Sequence, residues 1–380
     1  MIYLDHAAST FLYPEVADLL CQEIHLHYAN PSGVHPPALS AKRRIETAMK
    51  HLGQLLGVSP GTLTVCSGAT EAINTAIKAP LLWTHARGRD ILISAGEHAA
   101  VREAAAFAAE RAGYRLRVIP LSPAGCVDLA ALEDALGPET AYVATIHVNN
   151  ETGAIQPLQA LSALIRRKAP QALWLLDSVQ AFCKETFCLS AADPDFLILS
   201  GHKIHGPKGV GILYSRPSLH YPPLIHGGGQ QDGRRSGSEN PWQAVCFARA
   251  AELGLQECAA HHARVTELRR LLLERLTELE LPYTLNSPAA ASPYIVNLSF
   301  PGLRGETLLN ALGSDGICIS TASSCHSRAG YSAVLEAMGL SRERLESAVR
   351  LSLDASLSDL EITEAAGAIA RWYKKLARRT

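Results

Sequence analysis

Lys203 lies in the stretch SGHKIHGPKGVGILYS (200–215), directly after the apolar run FLILS. An amine at the mouth of a buried strand loses hydration. That disfavours the ammonium and leaves a nucleophilic nitrogen able to condense with an aldehyde. Asp177 closes a second apolar run, LWLLD, 26 residues earlier, a separation that suits adjacent strands joined by one short connection. A carboxylate at such a strand end needs a cation or hydrogen-bond donors. The pair therefore reads in two ways, as an internal ion pair or as the two ends of a ligand site. In the second reading the amine bonds a carbonyl and the acid faces a protonated ring nitrogen, the arrangement used with pyridoxal phosphate.

Other polar residues fall at comparable places. SGATEA (67–72) sits between the run TLTVCS and a helical pattern. Its small residues either let the N–H groups of a helix start and the Thr70 hydroxyl approach an anion, or form a capping box with Thr70 as cap. His98 follows ILISAGE and can stack on a flat ring, move protons, or be a polar loop residue. Asn150, in HVNNETG, is a hydrogen-bond donor or a turn residue. HGGGQQDGRRSGS (226–238) offers Arg234, Arg235 and Ser238 to a phosphate, or is a surface loop. Cys325, in ISTASSCHSRAGYS, is the cysteine set among small polar residues, with His326 and Arg328 near to favour a thiolate; otherwise it is a spectator. Arg350, alone in the apolar run AVRLSL, calls for a carboxylate, from a substrate or from the protein.

These residues must be held by a scaffold, and the chain is long enough for two domains. It has 380 residues, 47% hydrophobic and 19% charged, with a net charge of −1. No basic stripe speaks for nucleic acid, and no apolar run is long enough for a bilayer. The start MIYLDHAAST lacks the pattern of an export signal, so a cytoplasmic location is expected. Nine cysteines include no CxxC pair, which argues against a metal site; most read as reduced, buried and small. Strands are predicted at 62–67, 90–95, 115–121, 141–148, 173–178, 196–200 and 209–215, with helical patterns between most of them. That alternation predicts an α/β fold, a mostly parallel sheet with helices on both faces. Past residue 256 a long helical pattern leads to YIVNLSF, GETLLNALGS, ICIST, AVRLSL and a helix from Asp359, read as a smaller α+β domain. Ligands in such sheets sit beyond the carboxyl ends of strands, where the residues above converge.

The motifs, taken in order, resemble the NifS/IscS-like cysteine desulfurases of the class-V aminotransferase family. YLDHAAST (3–10), NPSGVH (30–35), SGATEA, GEHAAV, HVNNETG, LDSVQ, SGHKIHGPKGVG, HGGGQQDGRRSGS and RLSL carry the likeness almost end to end. The resemblance implies a fold-type I enzyme dependent on pyridoxal 5'-phosphate. It places a large cofactor-binding domain at 15–256 and a small domain at 257–380 with 1–14, which carries the thiol loop. It implies that Lys203 holds the cofactor, Asp177 faces the pyridine nitrogen and His98 stacks on the ring. Asn150 and Gln180 would face the phenolic oxygen. Ala69, Thr70, Ser200 and His202 would hold the phosphate, with Ser238 supplied by a second subunit of a homodimer. Arg350, with Asn30, would bind the carboxylate of L-cysteine. Lys203 or His98 would move protons, and Cys325 would take the sulfur and pass it to an acceptor protein, for iron–sulfur clusters or for tRNA or cofactor thiolation. The alternative on the same residues is a selenocysteine lyase or a related C–S lyase. The sequence departs from the family pattern at the thiol loop, where Ala322 replaces a glycine and the segment after Cys325 is about one residue shorter. RLSLD stands for RFSLGR, and Ser238 for a threonine.

Overall fold

The computed structural model describes residues 1–83, 88–186, 188–321 and 331–377. Cys325, His326 and Arg328 lie outside the described residues.

Seven strands form the main sheet: β2 (Leu63–Cys66), β3 (Asp90–Ser94), β4 (Arg115–Ile119), β5 (Thr140–Ile146), β6 (Leu173–Asp177), β7 (Phe196–Ser200) and β8 (Gly211–Ser215). A short strand, β1 (Ile2–Tyr3), precedes them. The order is β2-β8-β7-β6-β5-β3-β4. All run in one direction except β8, which is antiparallel to both neighbours. The connection explains the exception. Between Ser200 and Gly211 the chain has only a single 3₁₀ turn, Gly201–Lys203, and no crossover helix, so the next strand must return antiparallel.

The central strands send alternate residues to two apolar cores, while the edge strand β4 leaves Arg115 and Arg117 exposed. In β7, Phe196 and Ile198 join one core while Leu197 and Leu199 join the other; Tyr142 and Val143 in β5 divide likewise. Buried on two faces, such strands read as unbroken apolar runs, which is why the sequence shows them so plainly. Helices Ala69–Trp83 and Ala99–Ala112 cover one face; Pro36–Leu56, Leu158–Lys168 and Pro241–Gln256 lie on the other.

A further apolar core gathers Ile2, Leu4 and Ala7 with residues from Val265 to Ala370, and takes in Val148 and Ala181 from beyond β5 and β6. It is built on β9 (Thr284–Leu285), β10 (Ile295–Ser299), β12 (Ser320–Thr321) and β13 (Ala348–Ser352), in the order β12-β13-β10-β9. β1 pairs in parallel with β11 (Ile317–Cys318). Helix Cys258–Glu278 and helix Asp359–Leu376 pack against this unit. The latter starts at a capping box in which Ser358 and Glu361 satisfy each other's backbone N–H groups.

The eight described cysteines are all free. Only Cys66, Cys183 and Cys246 are buried, and Cys21 and Cys188 are exposed. The expectation of mostly buried thiols therefore fails: Cys21 lies on an exposed part of helix Pro14–Leu26 and Cys188 caps a surface turn. No helix among the described residues is long and apolar enough to cross a membrane.

Candidate active site

Parallel strands end together, so their last residues share one edge. In register, Ile146 of β5 lies beside Asp177, and Asp177 beside Ile198 of β7. A cavity of about 670 Å³ opens along this edge. Ala69, Thr70, His98, Asn150, Asp177, Gln180, Ser200, His202, Lys203 and Arg350 all line it. Segments distant in sequence thus meet at one place.

Lys203 ends the 3₁₀ turn after β7, and its Nζ donates to the carbonyls of Ala7 (2.6 Å) and Ala8 (2.7 Å). Burial, then the charges of Lys184 and Arg350, push its pKa down to about 7, against the pull of Asp5 and Asp177. Near neutral pH a large share of the molecules carries a free amine there. Asp177 is 3% exposed and accepts one hydrogen bond on Oδ1, from the N–H of Val179 at 3.0 Å. Burial raises its pKa to about 6, partly offset by that bond and by Lys203. No ion pair joins Asp177 to Lys203 among the described residues, so the internal-pair reading is not the one the structure adopts.

The cradle for an anion forms where helix Ala69–Trp83 meets β8. The first N–H groups of a helix have no partner within it. A Cβ on Gly211, the first residue of β8, would lie 2.5 Å from the Gly68 carbonyl carbon and 2.8 Å from Ala69 N. Only glycine lets the strand approach the turn so closely. The Ser200 hydroxyl, on the same cavity, is buried and has no hydrogen-bond partner. His202 touches Ser9 Oγ through Nδ1 at 3.3 Å, and burial lowers its pKa to about 4. Glu71 accepts from Ser67 N and from Arg235 at 2.8 Å each, which ties the glycine-rich loop to the helix start. An unsatisfied hydroxyl beside open helix N–H groups fits a phosphate.

His98 caps helix Ala99–Ala112, its Nδ1 accepting from Ala100 N at 3.1 Å. Its neutral ring therefore carries the proton on Nε2. Packing against the protein, then Lys203, lowers its pKa. The two asparagines of HVNNETG divide the roles left open above. Asn149 builds the turn, its Oδ1 accepting from Glu151 N, Thr152 N and Thr152 Oγ1, while Asn150 faces the cavity. Gln180 donates from Nε2 to Ala7 O at 2.8 Å.

Arg350 finds its carboxylate within the protein. Its Nη2 pairs with Asp5 at 2.8 Å and its Nη1 donates to Asn150 O at 3.0 Å; the residue also lines the cavity, and its Nε is buried without a partner. Four residues are not brought into the cavity, Arg234 and Arg235 among them. Asn30 is exposed, its Oδ1 accepting from Ser32 N at 3.0 Å. Ser238 lines a neighbouring cavity of about 230 Å³, which shares Ser67 with the main one. Sequence reasoning assigned nothing to Asp5, to the Ala7 and Ala8 carbonyls or to Lys184. YLDHAAST was noted only as a motif; the carbonyls that hold Lys203 carry no side-chain signal.

A doubly wound sheet with a lysine, an acid and an anion cradle at its carboxyl edge defines a pyridoxal-phosphate enzyme. The chain belongs to the class-V aminotransferase family, whose profile matches residues 2–363; pyridoxal 5'-phosphate is the cofactor of this group. It is 32% identical over 363 residues to "Cysteine desulfurase IscS 1" of Archaeoglobus fulgidus, covering 95% of this chain and 94% of that one. A solved structure of a "NifS-like protein" superposes with a TM-score of 0.93 at 33% identity, over 99% of this chain and 100% of that one. Another, "SspA in complex with cysteine", gives 0.81 at 28% identity, over 93% and 99%.

Proposed function

We propose that the protein is a pyridoxal-phosphate-dependent cysteine desulfurase, converting L-cysteine to L-alanine and placing the sulfur on Cys325 as a persulfide. The observation that carries this is the meeting of Lys203, Asp177 and Arg350 on one cavity. The names of its relatives support the choice of substrate and do not favour the selenocysteine lyase or C–S lyase alternative.

The residues fit the cofactor. Lys203 would hold it covalently and Asp177 would face its ring nitrogen; the uncompensated carboxylate suits a cationic N–H. The N–H groups of Ala69 and Thr70, the free Ser200 hydroxyl and His202 would hold the phosphate, with Ser238 of the partner subunit. Asn150 and Gln180 would meet the phenolic oxygen and His98 the ring face. When bound, the cofactor supplies an electron sink for the substrate Cα.

The chain's own groups do the rest. Arg350, which lines the cavity, would take the substrate carboxylate, joined by Asn30 only if that exposed residue is brought in from outside the cavity. The Lys203 amine, neutral in a large share of molecules near pH 7, accepts and returns the Cα proton. His98 presents Nε2–H at the mouth. The Cys325 thiolate attacks the substrate sulfur; an S–S bond forms and the C–S bond breaks. The electron pair stays with the carbon, which takes a proton and leaves as alanine.

To the same reading belong a homodimer, which places Ser238 beside a second cavity, transfer of sulfur to an acceptor protein for iron–sulfur cluster assembly or tRNA thiolation, and a cytoplasmic location. It also includes the division into 15–256 and 257–380 with 1–14, supported by the core that unites Ile2, Leu4 and Ala7 with the C-terminal residues. The test is L-alanine formation from L-cysteine by the purified protein, with mass spectrometry of Cys325. Loss of both alanine and the sulfur adduct in Cys325→Ala supports the reading; sulfide release that persists in that variant points to the lyase instead.

A further inference from the structure

Lys184 follows β6 by seven residues and is only 8% exposed. Its Nζ donates to Gln180 Oε1 at 3.3 Å and lies 5.7 Å from the centre of the Tyr294 ring. Among the described residues it has no carboxylate within ion-pair distance. A buried ammonium so lightly compensated is costly, and a structural lysine is normally paired.

Its surroundings show what it touches. The same Gln180 amide donates from Nε2 to Ala7 O at 2.8 Å, and Ala7 O accepts from Lys203 Nζ at 2.6 Å. Lys184, Gln180, Ala7 O and Lys203 thus form one buried hydrogen-bonded path. The amide is oriented from both ends: an ammonium can only donate, so it takes Oε1, and a carbonyl can only accept, so it takes Nε2. The second N–H of Nε2 is then the group Gln180 has left for the cavity it lines.

We propose that Lys184 is a positioning residue of this active site: its fixed ammonium locks the Gln180 amide with a donor toward the cavity and biases the Lys203 amine toward its neutral form. The first half rests on the reading that Gln180 meets the phenolic oxygen. The second concerns the chain alone. Of the charges facing Lys203, that of Lys184 opposes its protonation most and Arg350 next, while Asp5 and Asp177 favour it. Lys184 itself is pushed down to about 8 by burial and by Arg350, against Asp354, Cys183 and Glu185, so it is mostly charged at neutral pH. His6 and His202 sense the same charge.

The test uses the full-length protein freed of cofactor and without substrate. Competitive acetylation of Lys203 with acetic anhydride, followed by peptide mass spectrometry from neutral to alkaline pH, gives the midpoint of its reactivity. In Lys184→Met the midpoint moves up by about one pH unit, the size a nearby like charge produces. Lys184→Arg keeps the charge and leaves the midpoint near wild type. Should Lys184→Met not fold, Lys184→Gln carries the same expectation. Pyridoxal phosphate affinity of the folded variants reads the amide: Lys184→Met weakens it as Gln180→Ala does, and the double variant weakens it no further. An unchanged midpoint in a cooperatively folded Lys184→Met or Lys184→Gln overturns the proposal, as does an equal shift in Lys184→Arg. Alanine formation by the wild type is scored separately. If it is absent while the midpoint still shifts, the desulfurase reading falls and the role of Lys184 stands.

Discussion

Replacing Gly211 by alanine tests whether the anion cradle depends on the close approach of β8. The new Cβ would sit 2.5 Å from the Gly68 carbonyl carbon and 2.8 Å from Ala69 N, both backbone atoms with no rotamer to escape into. Carbon atoms in contact rest at about 3.5 Å or more, so strand and turn must part by about 1 Å. Forced insertion of this kind costs about 1–3 kcal/mol of stability. The displaced atoms are also those at the start of helix Ala69–Trp83, where the phosphate would be held, so binding should suffer beyond the loss of stability. Urea unfolding of the cofactor-free protein measures the first effect, and titration with pyridoxal phosphate at a temperature where the variant stays folded measures the second. Gly313→Ala is the control, since a Cβ there has no atom within 4 Å; it should bind the cofactor as wild type does and, lying in helix Gly305–Ser314, be no less stable. If Gly211→Ala unfolds at the wild-type midpoint and binds the cofactor as tightly, the account of the cradle is wrong.

Further expectations concern charge. Asp177→Asn removes the acid proposed to face the ring nitrogen while keeping its shape, and steady-state alanine formation should fall about a hundredfold or more. Arg350→Lys loses the planar fork, so KM for L-cysteine should rise about tenfold with kcat less affected. The folded pKa of Lys203 lies below its unfolded value, so between about 7 and the ordinary lysine range the unfolded chain binds more protons. Stability of the cofactor-free protein should therefore rise with pH across that window, and Lys203→Met should flatten the rise in urea titrations. Asp177 acts the other way: its raised pKa means stability falls as pH rises from the usual carboxylate range to about 6, and Asp177→Asn should remove that slope.

What the sequence made legible follows from period and punctuation. Strands buried on both faces read as unbroken apolar runs, and all seven predicted strands of the main sheet lie within a residue or two of their places. Lys203 and Asp177 were visible because a polar residue that ends such a run must lie at the sheet edge. Pairings distant along the chain left no local trace. Asp5 reaches Arg350 across 345 residues and Ala7 reaches Lys203 across 196. The lone arginine of AVRLSL called for a carboxylate, but no spacing rule says that the acid lies five residues from the start. Lys184 was passed over because a lysine beyond a strand end ordinarily faces water. The reversal of β8 was hidden because its direction depends on the missing crossover helix, not on its own residues.

The central claim is that Lys203 bonds the cofactor, and borohydride reduction of the enzyme loaded with pyridoxal phosphate tests it most directly. After digestion, mass spectrometry should find a phosphopyridoxyl group on the peptide containing Lys203 and on no other. The same group on a different lysine, or on none, would contradict the account.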